Sequence, residues 1–115
     1  ARAAGRKLLE DGARHPDLLN DFAWEILTHE DGLQFRDKEL AVEAARLAND
    51  VSGGKDASIL DTYARALFET GRLAEAVRME SLAIQYCTDA GAKERFAARL
   101  KTYQAAARIK DGSAK

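Results

Sequence analysis

The side chains best suited to act as nucleophile, proton carrier or metal ligand are scarce in this 115-residue sequence, and they are scattered. Cys87 is the single cysteine, and His15 and His29 are the two histidines. A zinc or redox motif needs further Cys or His residues at short spacing, and Cys87 has none. Neither histidine has a partner ligand at i+3 or i+4 beyond the carboxylates common throughout the chain. His15 precedes Pro16 at an expected helix start, and His29 falls at an expected helix end, where its charge would suit the dipole. Cys87 follows Ala83, Ile84 and Tyr86 and reads as a packed small hydrophobe. No glycine-rich loop joins a strand to a helix, so phosphate has no cradle. The sequence therefore assigns no catalytic, cofactor-binding or metal-binding residue, calls for no cofactor, and is not expected to be an enzyme.

The elements that carry these residues are expected to be helices. Apolar residues make up 46% of the chain, with one proline, Pro16, near the start. Ala, Leu, Arg and Glu are abundant, and these side chains lose little rotamer freedom in a helix. One domain of this length can bury a sizeable core. No apolar run approaches the roughly 20 residues of a membrane span, and Ala1 to Lys7 lack the apolar stretch of a signal peptide. The first residue is Ala rather than Met, which fits a piece of a longer protein. Residues 16–90 carry a net charge of −8 and residues 91–115 a net +5. The basic residues of the last segment spread around a helix without an aromatic ladder, so they read as a solvated face and not as a nucleic-acid contact.

Self-similarity organises the chain. Leu18, Leu19, Phe22, Ala23, Ile26 and Leu27 reappear 41 residues later as Ile59, Leu60, Tyr63, Ala64, Leu67 and Phe68. Both sets paint one wide stripe on a helix. Ala41, Val42 and Ala48 reappear as Ala76, Val77 and Ala83 at an offset of 35, so the first copy holds about six extra residues between its helices. His29 to Arg36, with Asp31 and Gly32 as turn formers, is where they fit. The second copy turns tightly through Thr70, Gly71 and Arg72, with Gly71 in a left-handed cap. Caps and breakers predict helices at 2–13, 17–29, 38–51, 57–70, 73–87 and 91–110. Asp37, Asp56 and Thr88 or Asp89 are the expected N-caps, Gly53 and Gly54 the stop of the third helix, and Lys110 to Lys115 a frayed tail.

Residues Leu60 to Ala83 resemble a tetratricopeptide repeat: Ala64, Gly71, Ala76 and Ala83 hold the small-residue places, and Leu60, Tyr63, Leu67 and Leu73 the large ones. The segment 17–51 is similar but degenerate, with Ala23, Ala41 and Ala48 small, Leu19, Phe22 and Ile26 large, and the inserted loop 29–36. Thr88 stands where the family usually ends a helix with proline. The resemblance implies an all-α domain spanning 1–115: an N-terminal helix in 1–15, two helix hairpins at 17–51 and 57–88 stacked in a short right-handed superhelix, and a capping helix over 91–110. Phe96, Leu100, Tyr103 and Ala107 form one stripe suited to that cap, while Ala4, Leu8 and Leu9 offer a weaker stripe at the other end. The strings Leu19 to Thr28 and Asp56 to Gly71 also resemble the helical tails that follow thioredoxin-like domains in some bacterial envelope proteins. That likeness implies a thiol–disulfide oxidoreductase parent and a periplasmic setting, but the Cys-x-x-Cys motif of such a parent is absent from this chain. Without that parent the expected compartment is the cytoplasm.

In tetratricopeptide domains the first helices of successive pairs line a concave groove, and by resemblance that face here includes Asn20, Trp24, Asp61, Arg65, Phe68 and Glu69. The counterpart of Trp24 is Arg65, so the repeat does not demand an aromatic there, and Trp with Arg is common in binding hot spots. Alternatively Trp24 packs on the loop near Phe35. Asp61 and Arg65, one turn apart, could pair with each other. The clamp by which some relatives grip a terminal carboxylate has no match among these residues. Two functions follow as expectations. One is a non-catalytic scaffold presenting its groove to a peptide or protein. The other is an accessory C-terminal domain that packs on a thioredoxin-like parent or forms a homodimer, through the basic last helix or the loop 29–36. Neither nucleic acid nor a membrane is expected as partner.

Overall fold

A computed structural model describes residues 15–28 and 35–110. They form helices α1 (Pro16–Thr28), α2 (Phe35–Ser52), α3 (Ala57–Glu69), α4 (Leu73–Tyr86) and α5 (Ala90–Lys110), with no strand among the described residues. The fold is all-α, as the periodicity predicts. The expected helix at 2–13, His29 and residues 111–115 lie outside the described residues.

Local chemistry sets each boundary. Pro16 opens α1, where its missing N–H would have had no helical partner, and the His15 carbonyl accepts from Leu18 N and Leu19 N at 3.0 and 3.2 Å. The Asp56 side chain caps α3 by accepting from Ile59 N at 3.2 Å, and Asp89 caps α5 by accepting from Ala92 N at 2.7 Å. Asp37 does not cap α2. That helix begins at Phe35, which places Asp37 in the first turn, where its charge still favours the dipole, and removes the last two residues from the predicted 29–36 loop. The ends of α2 and α3 use the same device. Gly54 N donates to Asn49 O and Gly53 N to Asp50 O; Arg72 N donates to Leu67 O and Gly71 N to Phe68 O. Nested bonds of this kind require a left-handed residue, and Gly53 and Gly71 supply it at φ 93° and 83°.

Each helix packs on the next in sequence, and α1 packs also on α3. The result is two helical hairpins, α1–α2 and α3–α4, stacked side by side, with α5 laid against the second. Ala23, Ala41, Ala44, Ala45, Ala48, Ala64, Ala66, Ala76 and Ala83 have no exposed surface, so these backbones approach with only a methyl group between them. Leu19, Ile59, Tyr63 and Leu67 fill the space between the hairpins, with half-buried Phe22 packed against them. A smaller cluster of Leu60, Ala83, Cys87 and Phe96 joins the second hairpin to α5. Full burial of Leu60 contributes about 2 kcal/mol to that union. Phe96 and Tyr103 are the buried members of the stripe predicted for the capping helix. The copies also differ in how deeply the start of the stripe is buried: Ile59 is buried between hairpins, whereas its equivalent Leu18 is 54% exposed.

Candidate functional site

The first helices α1 and α3 and the added helix α5 form the walls of a cleft of about 300 Å³. From α1 come Asn20, Asp21 and Trp24; from α3, Asp61 and Thr62; from α5, Phe96 and Arg99. Helical spacing accounts for the grouping, because Asn20 and Trp24 are one turn apart, as are Asp61 and Arg65 on the neighbouring helix.

Trp24 is half-buried, and two guanidiniums lie over its ring: Cζ of Arg65 and Cζ of Arg99, each 5.8 Å from the centroid. Contacts of this kind are worth about 0.5–1 kcal/mol each where water has access. The ring thus acts as a platform held by cations from two other helices. Phe35, the alternative neighbour for Trp24, has its side chain outside the described residues.

Asp61 and Arg65 do not pair with each other. Arg65 Nε donates to Glu69 Oε2 at 3.2 Å, and Lys38 Nζ reaches the other oxygen of Glu69 at 3.1 Å. Asp61, only 6% exposed, instead accepts from Arg99 Nη1 on α5 at 2.5 Å. A buried carboxylate draws in a cation that can desolvate with it, and the planar guanidinium of Arg99 arrives from the helix packed above. Burial alone would pull the Arg99 guanidinium down; the hydrogen bond and charge of Asp61, helped by Glu80 and Tyr103, carry it up.

Beneath this pair lies Glu80 of α4, with no exposed surface. Among the described residues neither of its oxygens has a hydrogen-bond donor, and nor does Asp61 Oδ1. Burial, then the charge and hydrogen bond of Asp61, push the Glu80 carboxyl up to about 9, with Arg99 opposing. A proton on Glu80, donated to Asp61, supplies the bond that the ionised forms lack. Tyr103 adjoins the cluster, pushed up by burial and by the charges of Glu80 and Asp61, and its ring stacks on Phe68 at 4.5 Å and 23°.

Of the residues expected on the groove, Asn20, Trp24 and Asp61 line the cleft, and Arg65 reaches it over Trp24. Phe68 is turned into the contact with Tyr103, and Glu69 is held by Lys38 and Arg65. Glu80 and Arg99 were not among the expected groove residues. The repeat contained a signal for Glu80: at the 35-residue offset it falls on Ala45, so a carboxylate stands in a small apolar place.

Cys87 is buried, its thiol donating to Asp89 O at 3.3 Å, and His15 is exposed at the start of α1. Among the described residues no group of three or more His, Cys, Asp or Glu side chains could hold a metal ion, and no helix is long and apolar enough to cross a membrane. No protein-family model matches this chain, no curated protein matches it, and no solved structure matches it.

Proposed function

We propose that the chain is a non-catalytic recognition module of the tetratricopeptide kind, holding an extended peptide or protein segment in the cleft between α1, α3 and α5. The observation that carries this reading is Trp24, an aromatic that the repeat does not require, kept half-exposed on the cleft face beneath two guanidiniums. Beside it Asn20 Oδ1 is buried without a hydrogen-bond partner among the described residues, an acceptor that a peptide N–H would satisfy. Aromatic and arginine anchors next to a few fixed polar groups are what a peptide groove needs.

The test is selection of peptides from a random displayed library on the full chain, followed by titration against Trp24→Ala and Asn20→Ala. Peptides of the cleft should weaken about tenfold or more on Trp24→Ala while the helical circular dichroism persists. Peptides that bind both variants as tightly as the parent chain would remove the cleft from consideration.

A further inference from the structure

Two carboxyl groups and one guanidinium meet where α3, α4 and α5 join, and the count of charges does not balance unless one carboxyl is neutral. Asp61 comes from α3, Glu80 from α4, and Arg99 from α5 with Tyr103 beside it. Glu80 is 0% exposed and cannot reach water without movement of a helix. Three oxygens, Asp61 Oδ1 and both of Glu80, lack donors among the described residues as carboxylates. Arg99 bonds Asp61 Oδ2, so among the described residues Glu80 has no cation of its own. The groove reading does not use Glu80, and the hairpin fold does not need it, since Ala45 fills the same place in the first hairpin without exposure.

We infer that Asp61, Glu80 and Arg99 form a proton-operated latch: a proton on Glu80 keeps α5 docked against the second hairpin, and its loss to solvent releases that helix. The mechanism is electrostatic. With the proton in place, Glu80 donates to Asp61, Asp61 accepts from Arg99, and the cluster is neutral. Without it, two buried anions share one cation, and the protein relieves the excess charge by admitting water along α5, which packs chiefly on α4, whereas α3 packs on α1, α2 and α4. While α5 is docked, Tyr103 stays in its neutral form, since burial and then the charges of Glu80 and Asp61 push it up. Burial and the neighbouring Asp61, which push the Glu80 carboxyl up to about 9, place the release on the alkaline side of neutrality. Because Arg99 and Phe96 form one wall of the cleft and Arg99 lies over Trp24, release of α5 also dismantles the cleft. That last consequence rests on the recognition reading; the latch does not.

The experiment uses the full chain alone, with no peptide. The carboxyl ¹³C shift of Glu80 is followed by NMR from about pH 3 to about pH 10, alongside amide-exchange protection factors of α5 relative to α1. The expected result is a Glu80 transition well above the ordinary carboxylate range, with α5 protection falling about tenfold or more through the same interval. In Glu80→Gln, α5 protection should stay level across that interval. Should the amide fit poorly and the variant fail to fold, Glu80→Ala, which copies Ala45, serves the same purpose. A Glu80 transition in the ordinary range overturns the latch, and so does α5 protection that falls with pH as steeply in the variant as in the parent chain. Either failure leaves the peptide titrations untouched, and failure to bind peptides leaves these readouts unchanged.

Discussion

Glu80 occupies in the second hairpin the place that Ala45 occupies in the first, and neither exposes any surface. In the unfolded chain Glu80 loses its proton near 4.5, whereas in the folded protein it keeps the proton up to about 9. The folded state therefore holds more protons between those values, and its stability must fall as pH rises through them. The stabilising contribution is complete below the lower value and lost above the upper one. The slope approaches about 1.4 kcal/mol per pH unit for a single group. Denaturant unfolding of Glu80→Gln at several pH values should show this slope removed, so that the variant gains on the parent chain most at alkaline pH.

Arg99→Ala leaves Asp61 buried beside Glu80 without its cation. Arg99 keeps about a third of its side chain exposed, at 32%, so water moderates the loss compared with a fully buried pair. A destabilisation of about 2–3 kcal/mol is expected. Asp61→Asn, which leaves a neutral acceptor for Arg99, should cost less. A double-mutant cycle between the two positions would show coupling that added salt barely reduces, unlike the exposed pair of Arg72 with Glu39 at 2.9 Å.

Trp24→Ala separates binding from folding. The ring is half-buried and its identified partners are the two guanidiniums, so its removal should cost about 1–2 kcal/mol in stability, well below the loss of a core aromatic. Tyr103→Ala is the contrast: 3% exposed and stacked on Phe68, it should cost about 3–5 kcal/mol and loosen α5. Thermal melts of the two variants side by side would check the difference.

Gly71→Ala tests the turn. A methyl group there would meet nothing within 4 Å, so the penalty is one of backbone alone, at φ 83°. About 1 kcal/mol is expected, read as a lowered urea midpoint with an unchanged slope. Gly91 lies within the first turn of α5, where an added methyl makes only ordinary contacts at 3.5 and 3.7 Å. Gly91→Ala should therefore add about 0.5–1 kcal/mol of stability and move the midpoint the other way.

The sequence was legible where the demand was geometric. Alanines at offsets of 41 and 35 marked where backbones meet, and Gly53, Gly71 and Asp56 marked the ends of helices, because each of those jobs suits few residue types. The start of α2 is not legible in the sequence, because Asp37 suits both an N-cap and a first turn. The site was legible only in part. Trp24 stood out by breaking the repeat, but Asp61 found its partner 38 residues away on α5 instead of one turn along its own helix. Helical spacing reveals neighbours on one cylinder, and it is silent on which side chain a later helix will bring down on top of them. Glu80 broke the pattern as plainly as Trp24 did, yet a lone glutamate in a helix is ordinary until its burial is known.

The packing of every helix on its successor has a kinetic side. Contacts close mostly over short stretches of chain, so little loop entropy is spent before stabilising contacts form, and folding should be complete within microseconds to milliseconds. Such a row of helices has no central element on which all the others depend, and it can come apart one unit at a time from either extremity. Exchange measured residue by residue should then grade along the chain, with α3 the slowest to open and α5 among the first.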